Sequence, residues 1–212
     1  MGVNLNGAIG DTAYTIDLSG KYSDLVKAAQ KALEEALKIA NVGTELREIG
    51  KTINDTIKSY GYNPVRNLSG HGLGLYDIHT EPTLPNIDNG DKTKLAKNMT
   101  FAIEPFSTTG AGVVAEKGHP TVFIMQQKRP VRSAITREVL KEIESYEGLP
   151  FAERWLQRKF GAKSGFALRE LNQFGIIHPF PPLVESSKGI VAQAEHSILI
   201  DEEGEVVVLT RL

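Results

Sequence analysis

The sequence predicts a mixed α/β fold of the α+β kind, in which strands and helices come in separate runs. Three observations carry that reading. Residues 22–61 hold two successive amphipathic helices, YSDLVKAAQKALEEALKIA and TELREIGKTINDTIKSYG, with apolar side chains at a spacing near 3.6. Strand-like apolar segments appear at FAIEPF (101–106), TVFIMQQ (121–127), GIVAQAEHSILID (189–201) and EVVVLTRL (205–212). Between about 131 and 180 a different texture intervenes, with three short amphipathic helices in VRSAITREVLKEIESYEG, PFAERWLQRKFG and SGFALRELNQFG.

The elements follow in chain order. VNLNG and DTAYTIDL read as two strands joined around Asn6-Gly7, because that dipeptide supplies the two positive-φ positions of a tight hairpin turn. In the first helix Leu25, Ala28, Ala29, Leu33 and Leu37 share one side, and Ser23 is the expected N-cap. Thr44 opens the second helix, which buries Leu46, Ile49, Ile53 and Ile57 and stops at Gly61. From Asn63 to Asn98 glycine, proline, asparagine and aspartate crowd together, and the composition predicts loop. The three short helices and the proline-rich IHPFPPL form an insert, so the expected division is a core of residues 1–128 and 186–212 with an insert at 129–185.

Bulk properties exclude several functions. The 212 residues are 41% hydrophobic and 24% charged with a net charge of -2, an ordinary globular mixture without the basic footprint of a nucleic-acid binder. There are no cysteines, which removes disulfides, zinc ribbons and thiol catalysis and suits a reducing compartment. No apolar run reaches the roughly 18–20 residues that span a bilayer. The opening MGVNLNGAIGD lacks the pattern of a signal peptide, so the expected location is the cytoplasm.

Four segments place a polar group where an apolar one is expected: Asp11 at the start of DTAYTIDL, His71 in GHGLGLYDIH, Glu104 in FAIEPF and Glu195 in IVAQAEHSILI. Alternation along the last strand puts Gln193, Glu195 and Ser197 on one face and Ala194, His196 and Ile198 on the other. Singly, each has a plain structural explanation: a turn aspartate, a loop histidine, or a glutamate paired with a cation of the protein. His196 reads as structural, and His119 and His178 as loop residues. Together, three carboxylates and an imidazole on strands form a hard-oxygen-plus-nitrogen ligand set that suits divalent Mn, Co, Fe or Zn. Acids that converge repel one another unless cations stand between them, and a metal pair about 3.5–4 Å apart can share carboxylates and activate water.

In order and spacing, NGAIGDTA, NLSGHGLGLYDIHTEPTLPN, FAIEPF and AQAEHSI resemble the metal-binding segments of type 2 methionine aminopeptidases, the archaeal and eukaryotic class. The eight-residue step from His71 to His79 and the insert ending in IHPFPPL point to type 2 over type 1. The resemblance implies the pita-bread (creatinase/aminopeptidase) fold and a dinuclear centre of two divalent metal ions. Asp11, His71, Glu104 and Glu195 would be ligands, and His79 would hydrogen-bond the scissile peptide. Ile78, Phe106 and Phe180 would line the methionine pocket together with His79. The implied reaction is hydrolysis of the first peptide bond after an initiator methionine, with nascent polypeptide N-termini as partners and a transient encounter with the ribosome. No membrane or specific nucleic-acid partner is expected.

The family also carries a bidentate aspartate eleven residues before the position of Asp11, which would fall just ahead of Met1. The expectation is therefore a fold incomplete at its N-terminus, with four of five ligands and little activity alone. Two other readings compete: a related Xaa-Pro peptidase, and a non-catalytic binding protein on the same fold.

Overall fold

The computed structural model describes residues 1–211. The chain begins with strands β1 (Gly2–Leu5), β2 (Ala8–Asp11) and β3 (Ala13–Tyr14), then helices α1 (Ser23–Ile39) and α2 (Leu46–Ser59). Strands β4 (Asn63–Pro64), β5 (Ser69–Gly74), β6 (Asp77–Pro85), β7 (Met99–Ile103), β8 (Phe106–Thr108), β9 (Val114–Glu116) and β10 (Val122–Met125) follow. Next come α3 (Ala134–Glu144), β11 (Phe151–Ala152), α4 (Glu153–Phe160), α5 (Lys163–Gln173), β12 (Ile177–Phe180) and β13 (Leu183–Glu185). Strands β14 (Val191–Ile200) and β15 (Val206–Val208) close the described chain. Leu212, the last residue of the expected final strand, lies outside the described residues.

Two compact units result, one of residues 1–115 with 184–212 and one of residues 116–183. In the first, the main sheet runs β4-β8-β14-β7-β5-β6, with β3 and β15 also on β14. Alpha-helices α1 and α2 supply Leu25, Ala29, Ala32, Leu33, Ile49, Ile53 and Ile57 to a core that also takes Ala192, Ala194, Ile198 and Ile200 of β14. Each fully buried leucine or isoleucine of that set contributes about 1.5–3 kcal/mol. Along β14, then, the residues of one parity sink into the helices, which leaves Gln193, Glu195 and Ser197 for the opposite face, as alternation requires.

The second unit wraps α3, α4 and α5 around Val139, Ile143, Phe151, Leu156, Leu168 and Leu171, beside a three-stranded sheet β11-β10-β12. Ser133 caps α3 by accepting the Thr136 amide at 3.3 Å. His178 lies within β12 and not in a loop, with its ring 5.2 Å from that of Phe180.

Several local expectations are corrected. The turn at Asn6-Gly7 forms with both φ angles positive, 51° and 92°, but β2 ends at Asp11 instead of starting there. The segment 11–18 keeps only the short β3. Ser23 is the first residue of α1 and makes no capping bond; Tyr22 holds the N-cap position. On α2 a capping box between Glu45 and Glu48 takes the place of Thr44.

The largest correction falls on the segment expected to be loop, which contains the hairpin β5–β6. Its glycines are there for close approach. A Cβ on Gly70 would sit 2.1 Å from the Ala102 carbonyl oxygen, and one on Gly72 2.2 Å from that of Glu81. Register slips between Gly70 and Gly72, so His71 stands at a bulge. Pro105 marks a break in FAIEPF, where β7 ends at Ile103 and β8 begins at Phe106.

Adding a methyl group at Gly70 forces the β5 backbone off β7. Gly70→Ala is expected to destabilise the fold by about 1–3 kcal/mol. Gly165→Ala, in α5 with no atom within 4 Å of the added carbon, is expected to be neutral or to stabilise by up to about 1 kcal/mol. Thermal melts of the two variants beside the parent check the contrast.

Candidate metal centre

Three strand positions and one strand break of the first unit carry the candidate ligands. Asp11 is the last residue of β2, His71 sits on the β5 bulge, Glu104 occupies the break after β7, and Glu195 is central in β14. The register is shared: Ala102 of β7 pairs with both Ser197 of β14 and His71 of β5, which sets those three in one row across the sheet. Continuing the pairs Ile103↔His196 and Phe106↔Gln193 through the break puts Glu104 opposite Glu195. Two like charges directly opposite on neighbouring strands destabilise a sheet.

One ligand atom each of Asp11, His71 and Glu195 lies within 4.8 Å of the others. Their side chains are largely enclosed, with 15%, 12% and 4% of the surface exposed. The His71 Nδ1 is 3.3 Å from the Gly72 carbonyl oxygen. A carbonyl can only accept, so Nδ1 donates there and Nε2 is left for the site. That Nε2 faces Oε1 of Glu195 at 3.8 Å, and Oε1 has no hydrogen-bond partner. Among the described residues no other group reaches that oxygen. Such a pair is stable only with a proton or a cation in the gap.

Glu104 stands outside that trio. It accepts a hydrogen bond from the Gln193 amide nitrogen. Burial pushes its carboxyl up to about 9, and Glu195 and then Asp11 add to the shift. Burial, followed by Asp11, likewise raises Glu195 to about 7. Among the described residues neither glutamate has an ion pair with lysine or arginine; the positive group at the site is the Met1 ammonium, 3.8 Å from Asp11 Oδ1, whose charge lowers the pKa of both glutamates without offsetting their burial.

Glu185 provides the comparison. It too is buried, yet its carboxylate accepts the amides of Gly112 at 3.1 Å, Ser187 at 2.6 Å and Gly189 at 2.9 Å. Those backbone bonds lower its pKa. A structural buried glutamate in this unit is saturated with donors. Glu104 and Glu195 are not. The remaining donor set, imidazole nitrogen with carboxylate oxygens, fits a divalent transition-metal ion.

His79 belongs to β6, with its ring centroid 4.6 Å from that of His71 in an edge-on arrangement. The residue is exposed, yet partial burial of its ring lowers its pKa and His71 lowers it further. Asp77 Oδ1 accepts the His79 backbone amide at 3.3 Å. Ile78 and Phe106 are half-buried in the same unit, and Phe180 is half-buried in the second unit. His196 bonds Thr210 Oγ1 at 2.9 Å, a structural contact.

Three further residues matter that sequence reasoning did not assign: Gln193 on Glu104, Ser197 on the backbone of Asp11, and Thr12, whose hydroxyl donates to the Glu195 carbonyl at 2.8 Å. Alternation already put Gln193 and Ser197 on the face of Glu195. Nothing in the sequence indicated what they touch.

The family model for Metallopeptidase family M24 matches residues 1–202. The chain belongs to this family. The M24 chain is 44% identical over 207 residues to a methionine aminopeptidase of Thermococcus onnurineus, covering 96% of its own length and 70% of the relative's. It is 35% identical to methionine aminopeptidase 2 of Clavispora lusitaniae, covering 98% of itself and 51% of that protein. Among solved structures, a thermophilic Arx1 superposes with a TM-score of 0.78 at 15% identity, over 96% of this chain and 63% of that one. At that identity the likeness speaks for the fold alone, the pita-bread arrangement of M24.

The raised carboxyl groups give stability a definite pH dependence. Both ordinarily titrate near 4.5, so the folded M24 chain holds these protons more tightly than the unfolded one. Their contribution is whole below pH 4.5 and is lost as pH rises through about 7 and then about 9. In EDTA the melting temperature is expected to fall between about pH 5 and about pH 9, and Mn²⁺ is expected to restore more at the alkaline end. A melting temperature indifferent to both would refute this account.

Proposed function

We propose that this chain removes the N-terminal methionine from newly made polypeptides as a cation-dependent aminopeptidase. The observation that carries the reading is the unpartnered Glu195 Oε1 facing His71 Nε2 at 3.8 Å with Asp11 beside them, in a chain of this family. Asp11, His71 and Glu195 would hold one divalent cation, and Glu104, opposite Glu195 in register, would complete a second position. Cobalt, manganese, iron and zinc all accept such donors. A cation bound there supplies Lewis acidity toward the scissile carbonyl and lowers the pKa of a water.

The residues of the chain do the rest. His79, kept neutral at ordinary pH by its lowered pKa, presents a ring N–H to the scissile peptide and steadies the oxygen on which charge develops. Gln193 holds the Glu104 carboxylate by its amide. Ile78 and Phe106, both half-buried in the first unit, are the apolar side chains proposed to receive the methionine. Work on nascent chains implies a cytoplasmic setting and brief encounters with the ribosome.

The test is one of specificity and cation dependence. With Mn²⁺ or Co²⁺, the chain should release methionine from Met-Ala-Ser and leave an Xaa-Pro dipeptide intact. Glu104→Gln should lower the rate about 10²-fold or more. His79→Ala should lower kcat more than it raises KM, the mark of a group that acts in the transition state. Preferential cleavage of the Xaa-Pro dipeptide would move the chain to the other branch of its fold.

A further inference from the structure

We propose that Ser197 is the positioning residue that holds Asp11 in the site, through a hydroxyl that binds both backbone polar groups of Asp11. The inference rests on the reading of Asp11 and Glu195 as cation ligands and adds the element that keeps them together.

Asp11 is poorly anchored by ordinary means. It ends β2, and β2 ladders only with β1, in a two-stranded sheet separate from the main one. The ladder partners of β14 are β3, β7, β8 and β15. Asp11 itself has no ladder partner on β14; the nearest pairing, Ala13 of β3 with Glu195, lies two residues on and leaves the Asp11 backbone groups to be met by other means.

Ser197 supplies the connection. Its Oγ accepts the Asp11 N–H at 2.8 Å and donates to the Asp11 carbonyl at 2.8 Å. The residue is wholly buried, two positions from Glu195 on the same face of β14, and it shares a row with Ala102 and His71. One hydroxyl thus pins Asp11 at the level of the imidazole. Thr12, the next residue, donates its hydroxyl to the Glu195 carbonyl at 2.8 Å and helps to hold the chain there.

Removing the hydroxyl leaves an N–H and a C=O without partners in an enclosed place, and each drives the backbone toward another partner. The carboxylate moves with it. A purely structural serine would lower the melting temperature and leave cation affinity in the folded chain alone. A positioning serine changes that affinity, because residues that orient ligands typically account for 10–100-fold in metal binding.

The experiment titrates Mn²⁺ into the metal-free full chain by calorimetry and follows exchange of the Asp11 amide by NMR, for Ser197→Ala, Ser197→Cys, Ser197→Thr and His71→Ala. Ser197→Ala is expected to bind Mn²⁺ about 10-fold or more weakly, with a faster-exchanging Asp11 amide. Cysteine, a weak donor of similar shape, should fall between, and threonine should restore the parent affinity. Parent affinity in folded Ser197→Ala overturns the proposal, whatever happens to its melting temperature. Should that variant fail to fold, parent affinity with a protected amide in Ser197→Cys does the same. If His71→Ala also binds Mn²⁺ as the parent does, the cation reading itself is wrong, and the amide exchange still decides whether Ser197 holds Asp11.

Discussion

A buried carboxylate oxygen without a hydrogen-bond partner, facing an imidazole nitrogen, sets the terms for the rest of this structure. His71 Nε2 and Glu195 Oε1 stand 3.8 Å apart, and the oxygen has no other partner. At that separation in a poorly hydrated space the arrangement is unfavourable without positive charge between them. The bulge at His71, the break at Glu104–Pro105 and the attachment of Asp11 all serve to maintain it. A fold shaped only for stability would have placed an apolar pair here.

The means of support is the division of labour along β14. One parity of this strand packs into α1 and α2, and the other carries Gln193, Glu195 and Ser197. Core packing on the first face thus fixes the coordinates of the second, and local motion at the site requires motion of a ten-residue strand tied on both edges. Rigidity of this kind is what a coordinating constellation needs, since ligands displaced by a fraction of an ångström lose much of their affinity. Glu185 shows the alternative use of a buried acid: three amides saturate it, and it holds loops together with no cation involved.

Much of this was legible in the sequence because it is written in periodicity. The 3.6-residue rhythm located α1 and α2, and the alternation in AQAEHSI set Glu195 with Gln193 and Ser197 on one face of its strand. The anomalous acids were visible as polar letters in apolar strands. What stayed hidden was non-local. The segment 63–98 looked like loop because glycine and proline are poor strand formers in isolation. In the fold those glycines admit neighbouring backbones to within distances no side chain allows. Likewise no local signal could show that Asp11 ends its strand, or that the Ser197 hydroxyl is spent on a residue 186 positions away. The expected N-cap at Ser23 failed for a milder reason: a hydroxyl residue near a helix start is a tendency, and the adjoining turn placed Tyr22 at the boundary instead.

The glycines on either side of His71 have a consequence for how such a centre can change over time. Because Gly70 and Gly72 contribute no side chains, the imidazole emerges from a bare stretch of main chain, and apart from the Gly72 carbonyl on Nδ1 the groups around it come from other strands. Its own segment is locked by the crowding of carbonyl oxygens against those two positions. Adjustment of the centre, whether toward a different ion or a different substrate, must therefore be written elsewhere, in β6, β7 and β14, while this tripeptide persists as the fixed point around which the rest can drift.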